Sequence, residues 1–178
     1  YFMKKIFSSL AFILTMIPLD ITAQEVIEAD FTDLFSKAGV KGCFALYDKE
    51  GDKIWLYNKE ICETGYLPAS TFKIPNALIA LEEGIIKDSL QVIPWDETEW
   101  PHAVWNRDQT LASALKYSCI WVFFYIANEV GTEKYQFWLD TLHYGNKNLT
   151  GPSDRFWLAG EFRISAMEQI EFLGKFYD

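Results

Sequence analysis

Apolar residues recur at helical spacing in the segment that follows residue 70. Four of them share one predicted buried face, at positions i, i+3, i+4 and i+7: Ile74, Ala77, Leu78 and Leu81. Ser70 and Thr71 stand at the predicted start, because short hydroxyl side chains accept hydrogen bonds from free backbone N–H groups there. Gly84 is the expected left-handed residue beyond the end of the helix. Pro75 lacks a backbone donor, so we expect an irregular first turn.

The segments before this helix predict a β-hairpin. Two β-rich runs, 42–47 and 53–58, flank the turn-forming segment 48–52, in which Gly51 is the candidate for a positive φ. A short amphipathic helix is predicted at 31–38, and residues 59–69 are predicted to be a connecting loop. The hairpin therefore leads through a loop to Ser70.

The second half of the chain is predicted to be helical after a loop-rich segment, 87–107. The run 111–130 ends at Gly131, and its polar Tyr117-Ser118 step predicts a break into two helices near Ser118. Thr132 is predicted to cap a further helix that reaches about Leu142. Ser165 and Glu168 have capping-box spacing for the last helix. The apolar face of that helix is predicted from three residues: Ile170, Leu173 and Tyr177.

Composition and charge limit the classes of function. The chain has 178 residues, of which 50% are hydrophobic and 17% aromatic, enough for one sizeable core. No repeat or second domain is recognisable, so 24–178 is predicted to be one domain. The formal charge of −9 would repel nucleic acid and anionic membranes, which argues against both as partners.

Residues 1–23 have the pattern of a cleavable secretory signal. Lys4 and Lys5 precede an apolar run, 6–19, that is shorter than the roughly 20 residues of a membrane span. Met3 is the expected true start. The mature protein is therefore expected in the periplasm of a Gram-negative bacterium, without a stable membrane anchor. The alternative is an N-terminal core helix.

The three cysteines and two histidines give little support for a metal site. Cys43 and Cys62 could pair in an oxidising compartment, which would leave Cys119 as the free thiol. No two cysteines have zinc-ligand spacing, and His102 and His143 are far apart in the sequence. No metal is predicted.

Ser70 and Lys73 are the candidates for covalent chemistry. Three positions apart on a helix, their Cβ atoms would lie roughly 5–6 Å from each other. A hydroxyl at the positive end of a helix with an amine in reach is a plausible activated nucleophile. In the alternative interpretation, Ser70 is only a helix cap and Lys73 is solvated. A second Ser-x-x-Lys pair, Ser113 and Lys116, lies inside a helical run and is interpreted as a chance match.

Further motifs support the first interpretation. The stretch Pro68–Lys73 resembles the active-site motif of class D β-lactamases, the oxacillinases. Three other stretches match that family in order: Tyr117-Ser118-Cys119-Ile120 (with Ile120 in place of valine), Tyr144-Gly145-Asn146 and Phe156-Trp157-Leu158. Segments 105–108 and 163–166 are also similar. The resemblance covers roughly residues 25–178.

The resemblance implies a role for each matched residue. Ser70 would be the nucleophile, and Lys73, carboxylated by carbon dioxide, would be the general base, with no other cofactor. The indole N–H of Trp157 would steady the carbamate, and Ser118 would relay a proton to the leaving nitrogen of a β-lactam. The residues expected to bind substrate are Trp105, Ile120 and Tyr144.

The resemblance also implies an α+β fold of the β-lactamase/transpeptidase type, similar to an α/β/α sandwich with a helical subdomain. In that family a Lys-Ser-Gly or Lys-Thr-Gly strand lies opposite the serine. This sequence contains neither string. We therefore expect a C-terminally truncated sequence that retains only the N-terminal hairpin of the antiparallel sheet, and a fragment inactive by itself. Homodimerisation stays open.

Three alternatives share this resemblance. A β-lactam sensor domain would be acylated without fast release, although such sensors normally follow transmembrane helices. A penicillin-binding transpeptidase would act on peptidoglycan stem peptides. A truncated remnant would have no catalytic function.

Overall fold

The computed structural model describes residues 24–175, so the predicted signal segment and Tyr177 lie outside the described residues. The strands are β1 Glu25–Glu28, β2 Phe44–Asp48, β3 Lys53–Tyr57, β4 Val92–Ile93 and β5 Gln109–Thr110. The helices are α1 Thr32–Ala38, α2 Lys59–Glu63, α3 Lys73–Glu82, α4 Leu111–Lys116, α5 Ile120–Val130, α6 Thr132–Leu142, α7 Phe156–Ala159 and α8 Ala166–Gly174. Two 3₁₀ turns lie at Ala69–Phe72 and Ala103–Trp105.

The predicted hairpin is confirmed, and a third strand joins it. β2 pairs antiparallel with β3, while β1 pairs parallel with the other edge of β3, so the sheet order is β1-β3-β2. The expectation that only a hairpin of the sheet would be present was therefore wrong, because the short run Glu25–Glu28 satisfies the free edge of β3. A β-strand of four residues carries too little periodicity to be recognised in the sequence.

The hairpin turn uses a different residue for its positive φ than predicted. Asp52 adopts φ 48°, and Gly51 does not have a positive φ. Instead, the backbone N–H of Gly51 donates a hydrogen bond to Asp48 Oδ1 at 3.1 Å. A Cβ on Gly51 would lie 2.7 Å from Asp48 Oδ2, so a larger residue here would require the Asp48 carboxylate to shift.

Helices pack on both faces of the sheet, but on one face α1 reaches only the Phe44–Tyr57 end and leaves Leu46 and Trp55 exposed. On one face, Phe31 beside α1 contacts Phe44, and Phe35 stacks on Tyr57 with ring centroids 4.8 Å apart. On the other face, α2 and α8 pack over a small core that contains Ile54, Leu56 and Cys62. Residues 59–63 were predicted to be loop, but they form α2 because the buried side chain of Cys62 anchors them.

The main hydrophobic core lies in the helical part and centres on the packing of α3 against α5. The predicted buried face of α3 was only partly right, since Ile74 and Leu81 are exposed while Ala77 is buried. Two polar residues, Lys73 and Asn76, take core positions instead. A rule that counts apolar residues alone could not assign them to the core.

The break near Ser118 is confirmed. α4 and α5 are separate helices, and Ser118 lies between them in a left-handed conformation with φ 53°. Ser113 is not mid-helix as predicted. It lies in the first turn of α4, where it forms a capping box with Thr110, which explains the Ser113–Lys116 pair structurally.

The other predicted helix ends are mostly confirmed. Gly84 and Gly131 follow α3 and α5 with positive φ, and Ser165 forms the predicted capping box with Glu168. Thr132, however, is the first residue of α6 and not its cap.

The last helix buries a different residue than predicted. On α8 the buried apolar residue is Phe172, whereas Leu173 is 42% exposed and Ile170 is half-buried. Phe172 packs edge-on against the ring of Tyr144 at 4.8 Å, which fixes the face that α8 turns inward.

Cys43, Cys62 and Cys119 are all free thiols in the structure. Between residues 24 and 175, no helix is both long enough and apolar enough to cross a lipid bilayer.

Candidate active site

Ser70 lies in a short 3₁₀ turn directly before α3. The turn spans Ala69–Phe72, and its backbone starts from Ala69 in a left-handed conformation with φ 47°. Thr71 Oγ1 donates a hydrogen bond to the carbonyl of Pro68 at 2.6 Å. The Ser70 side chain does not cap the turn. The irregular start that Pro75 predicted is therefore present, and Ser70 is exposed to solvent.

Lys73 reaches back to Ser70 from inside the protein. Its Nζ donates a hydrogen bond to Ser70 Oγ at 2.9 Å, and the residue is only 8% exposed. Burial lowers the pKa of the Lys73 amine from its ordinary value. The alternative of a capping serine beside a solvated lysine is therefore wrong for this pair.

Aromatic side chains form the wall around the Lys73 amine. Lys73 Nζ lies 5.6 Å from the ring centroid of Phe123. Phe72 is fully buried and stacks on Trp157 with centroids 5.2 Å apart and planes 26° apart. No carboxylate within residues 24–175 forms an ion pair with Lys73. This apolar site penalises the ammonium form.

Trp157 is 1% exposed, yet its indole N–H donates no hydrogen bond to any residue in the described part of the chain. The Trp157 ring stacks on Phe72, the chain neighbour of Lys73, and its indole donor is not engaged by the described residues.

The corner at Ser118 approaches the same amine through Cys119, the next residue in the chain. Cys119 is fully buried, and the Cys119 thiol and the Lys73 amine affect each other's pKa electrostatically. Burial is the larger effect on Cys119 and raises the pKa of its thiol to about 11. Ser118 itself is exposed and Ile120 is half-buried at the start of α5. The structure thus brings Ser70, Lys73 and the Ser118 corner together.

Trp105 supports this corner through its backbone and its indole. Its Nε1–H donates to the carbonyl of Tyr117 at 2.9 Å, and its own carbonyl accepts from Trp121 Nε1 at 2.9 Å. These two bonds join the 3₁₀ turn Ala103–Trp105 to the residues on both sides of Ser118. The indole ring of Trp105 is half-buried and contacts the rings of Trp100 and His102.

Tyr144 does not fit the substrate-binding role expected of it. It is 1% exposed, and its ring packs against Phe72, Phe162 and Phe172. Burial raises the pKa of its hydroxyl to about 12. The hydroxyl meets no partner at hydrogen-bonding geometry among the described residues, although the side chains of Gln169 and Thr71 are near enough to lower its pKa. Tyr144 is therefore a core residue.

The rest of the Tyr144-Gly145-Asn146 motif is also structural. Asn146 accepts from the backbone N–H of Arg163 through Oδ1 and donates to the carbonyl of Glu161 through Nδ2. Gly145 has φ 60° and lies so close to the Arg163 carbonyl that any Cβ would clash with it. The motif fastens the loop after α6 to the segment before α8.

Sequence reasoning missed a buried polar pair behind Lys73. Tyr135 Oη donates to Asn76 Oδ1 at 2.8 Å, and Asn76 Nδ2 donates to the carbonyl of Phe123 at 3.4 Å. Asn76 is fully buried one turn after Lys73. Its position inside an apolar run was the available signal, since a buried amide needs partners.

The described residues contain no group of three or more His, Cys, Asp and Glu side chains that could hold a metal ion. The chemistry open to the site is nucleophilic: an exposed hydroxyl, a buried amine in hydrogen-bond contact with it, and a second serine at an adjacent corner.

Comparisons with known proteins agree with this geometry. The penicillin-binding protein transpeptidase domain family matches residues 36–178. The β-lactamase OXA-10 of Pseudomonas aeruginosa is 44% identical over 143 residues, which are 80% of this chain and 54% of that protein. The chain thus spans about half the length of that curated relative.

Two solved structures are similar over most of the chain. One is a class D β-lactamase from Bacillus subtilis, with a TM-score of 0.78 and 38% identity, covering 84% of this chain and 62% of that one. The other is the C-terminal domain of the Bacillus licheniformis BlaR penicillin-receptor, with a TM-score of 0.80 and 36% identity, covering 87% and 63%. The chain belongs to the penicillin-binding protein transpeptidase domain family, and within it is homologous to the class D β-lactamases.

Proposed function

We propose that this chain is the nucleophile-bearing part of a serine β-lactamase, with Ser70 as the residue that is acylated. The observation that supports this most strongly is the 2.9 Å hydrogen bond from the buried Lys73 amine to the exposed Ser70 hydroxyl. A neutral amine in this position can accept the hydroxyl proton, whereas an ammonium cannot.

The proposed reaction has two halves. Ser70 Oγ bonds to the carbonyl carbon of the β-lactam, its proton passes to the base at Lys73, and the ring C–N bond breaks as the nitrogen takes a proton. Ser118, at the adjacent corner, supplies the path for that second proton. Water then hydrolyses the ester, which restores the Ser70 hydroxyl and releases the opened acid.

Carbon dioxide fits this site as a modifier of Lys73. Only a neutral amine reacts with it: the N–C bond forms, one amine proton is released to solvent, and the product is a carbamate whose oxygen atoms can accept the Ser70 proton. The lowered pKa of Lys73 and the unpaired indole N–H of Trp157 support this proposal. Trp157 would donate to the new oxygen atoms, since its Nε1 is a donor only.

Hydrolysis is proposed for the complete protein, because this chain spans 54% of the length of its β-lactamase relative. The Lys-Ser-Gly or Lys-Thr-Gly string that the resemblance places opposite the serine does not occur in this sequence. For the 178-residue chain alone we propose acylation of Ser70 without rapid turnover.

A β-lactam sensor is the second candidate function. The similarity to the BlaR penicillin-receptor domain, with a TM-score of 0.80, supports it as directly as the enzyme similarity supports the first. Both candidates require acylation of Ser70, and they differ in the lifetime of the acyl-enzyme in the complete protein.

Intact-mass spectrometry after exposure to penicillin, together with a chromogenic cephalosporin assay, tests the proposal. We expect one adduct per chain that is absent in Ser70→Ala and present in Ser113→Ala, the matched variant in the other Ser-x-x-Lys pair. No adduct on the wild-type chain would contradict acylation. Appreciable cephalosporin turnover by the 178-residue chain that Ser70→Ala abolishes would contradict its proposed inactivity.

Export to the periplasm is proposed on the pattern of residues 1–23, in which two lysines precede an apolar run. N-terminal sequencing of the protein recovered from a Gram-negative host tests it. Cleavage near Ala23 would support export, and an intact N-terminus in the cytoplasmic fraction would contradict it.

A further inference from the structure

We infer that Gln169 is a positioning residue for the nucleophile, acting from α8 on the turn that presents Ser70. Gln169 Nε2 donates to Thr71 Oγ1 at 2.7 Å, and Thr71 Oγ1 donates in turn to the carbonyl of Pro68 at 2.6 Å. The two bonds form a relay from Gln169 through Thr71 to Pro68, and Thr71 and Pro68 lie on either side of Ser70 in the chain. Gln169 is 98 positions from Thr71 in the sequence, so this relay is a tertiary contact.

The turn needs an external support because its backbone is strained. Ala69 has φ 47°, a region that residues with a Cβ enter at a cost. Ala69–Phe72 is a single 3₁₀ turn, whose hydrogen-bond geometry is poorer than that of an α-helix. Such a conformation persists where surrounding contacts over-determine it, and the relay through Thr71 is one of those contacts.

The residues before Gln169 are themselves firmly placed, so the relay can transmit position. Ser165 and Glu168 form the capping box that starts α8, and Gln169 N donates to the Ser165 carbonyl at 3.0 Å. Just upstream, Ile164 and Tyr66 exchange two backbone hydrogen bonds, each 2.9 Å long. The segment 164–169 therefore contacts the chain around the Ser70 turn at two separate points, Tyr66 and Thr71.

The consequence for reactivity is geometric. Ser70 Oγ must keep its 2.9 Å contact with Lys73 while it faces an incoming carbonyl, and both depend on the orientation of the turn. Lys73 begins α3 and is held by the core, whereas Ser70 is exposed. Without the relay the turn would sample other orientations and the serine would spend less time in contact with the amine.

Two measurements on the 178-residue chain test this role, which rests on the proposed function: the rate of fluorescent-penicillin labelling and backbone hydrogen exchange at residues 69–72. We expect Gln169→Leu to slow labelling about tenfold, as for loss of one well-placed hydrogen bond. Exchange of the Thr71 amide, which bonds to the Pro68 carbonyl at 3.1 Å, should become faster. The matched control is Gln136→Leu, which removes a side-chain contact within α6.

Variants at Thr71 separate positioning from general destabilisation. Thr71→Val removes both bonds of the relay and should slow labelling at least as much as Gln169→Leu, whereas Thr71→Ser should retain the wild-type rate. The double variant should be no slower than Thr71→Val. The thermal midpoint of Gln169→Leu should stay within a few degrees of that of Gln136→Leu.

Labelling and exchange that match Gln136→Leu would overturn the role of Gln169. The role would also be overturned if Gln169→Leu lost labelling together with a fall in its thermal midpoint, and Thr71→Ser showed the same fall. A wild-type chain that is never labelled would instead contradict the proposed function, and the exchange measurement would still decide whether Gln169 holds the turn.

Discussion

The amine of Lys73 and the hydroxyl of Ser70 are 2.9 Å apart, but the two residues differ in solvent exposure: Lys73 is only 8% exposed, whereas Ser70 is exposed. The amine approaches from within the core, over the ring of Phe123. This arrangement keeps solvent from the amine while leaving the hydroxyl accessible. The properties of the buried amine therefore decide what the site can do.

Replacing Lys73 with methionine should stabilise the chain near neutral pH and abolish labelling of Ser70. Burial lowers the pKa of Lys73 below 10.5, so between the lowered value and 10.5 the unfolded chain binds more protons than the folded one. The free energy of unfolding of the wild type therefore rises with pH through that window. Thermal unfolding as a function of pH checks this, with a gain of about 2–4 °C for each kcal/mol recovered.

Lys116→Met is the matched control for Lys73→Met, because Lys116 is exposed in the other Ser-x-x-Lys pair. It should leave both labelling and the pH slope unchanged. If the free energy of unfolding of Lys73→Met depended on pH in the same way as that of the wild type, burial would not lower the pKa of the Lys73 amine.

Trp157→Phe should keep the aromatic packing on Phe72 and remove the free indole donor. We expect the carbon-13 signal of a carbamate, formed with labelled bicarbonate, to weaken strongly in this variant. Trp138→Phe is the control, since the indole of Trp138 donates to Glu83 Oε1 away from the site. Equal carbamate signals in both variants would remove Trp157 from the proposed mechanism.

Tyr135→Phe should destabilise the chain by about 1–3 kcal/mol, because it leaves Asn76 Oδ1 buried without a donor. Urea denaturation followed by fluorescence measures this. Tyr125→Phe, at a residue that is 39% exposed, should change stability far less. Equal effects of the two substitutions would mean that the Tyr135–Asn76 bond contributes little.

Glu83→Gln should lower the thermal stability of the chain at neutral pH but not at strongly acid pH. Lys134 and Trp138 donate to the Glu83 carboxylate at 2.7 Å each, and these bonds lower its pKa, the one from Lys134 most. A lowered carboxyl pKa adds stability above the unfolded value of 4.5, and that stability is lost as the pH falls through the folded value. The difference in thermal midpoint between wild type and Glu83→Gln should therefore shrink on acidification. Glu129→Gln, at an exposed residue of α5, should show no such trend.

Much of the site could be predicted because its signals are local. The spacing of Ser70 and Lys73, the polar step at Ser118 and the capping box at Ser165 each lie within a few residues. The phase of α3 could not be predicted, because the burial of Lys73 and Asn76 depends on Phe123 and Tyr135, which are about fifty to sixty positions away.

Contacts that join distant segments explain the other errors. Tyr144 was expected at the substrate because its motif resembles a family signature, yet the ring is packed by Phe72 and Phe172 from two other segments. β1 pairs with β3 across more than twenty residues. Gln169 gave no signal at all, since its partner Thr71 lies 98 positions away in the sequence.

Direct titration of the Lys73 amine tests the central claim most closely. In carbon-dioxide-free buffer, the nitrogen-15 signal of lysine Nζ, assigned by its loss in Lys73→Met, should titrate below the ordinary value of 10.5. A Lys73 signal that titrates at 10.5 or above would contradict the account, because burial would then not favour the neutral amine that is needed to activate Ser70.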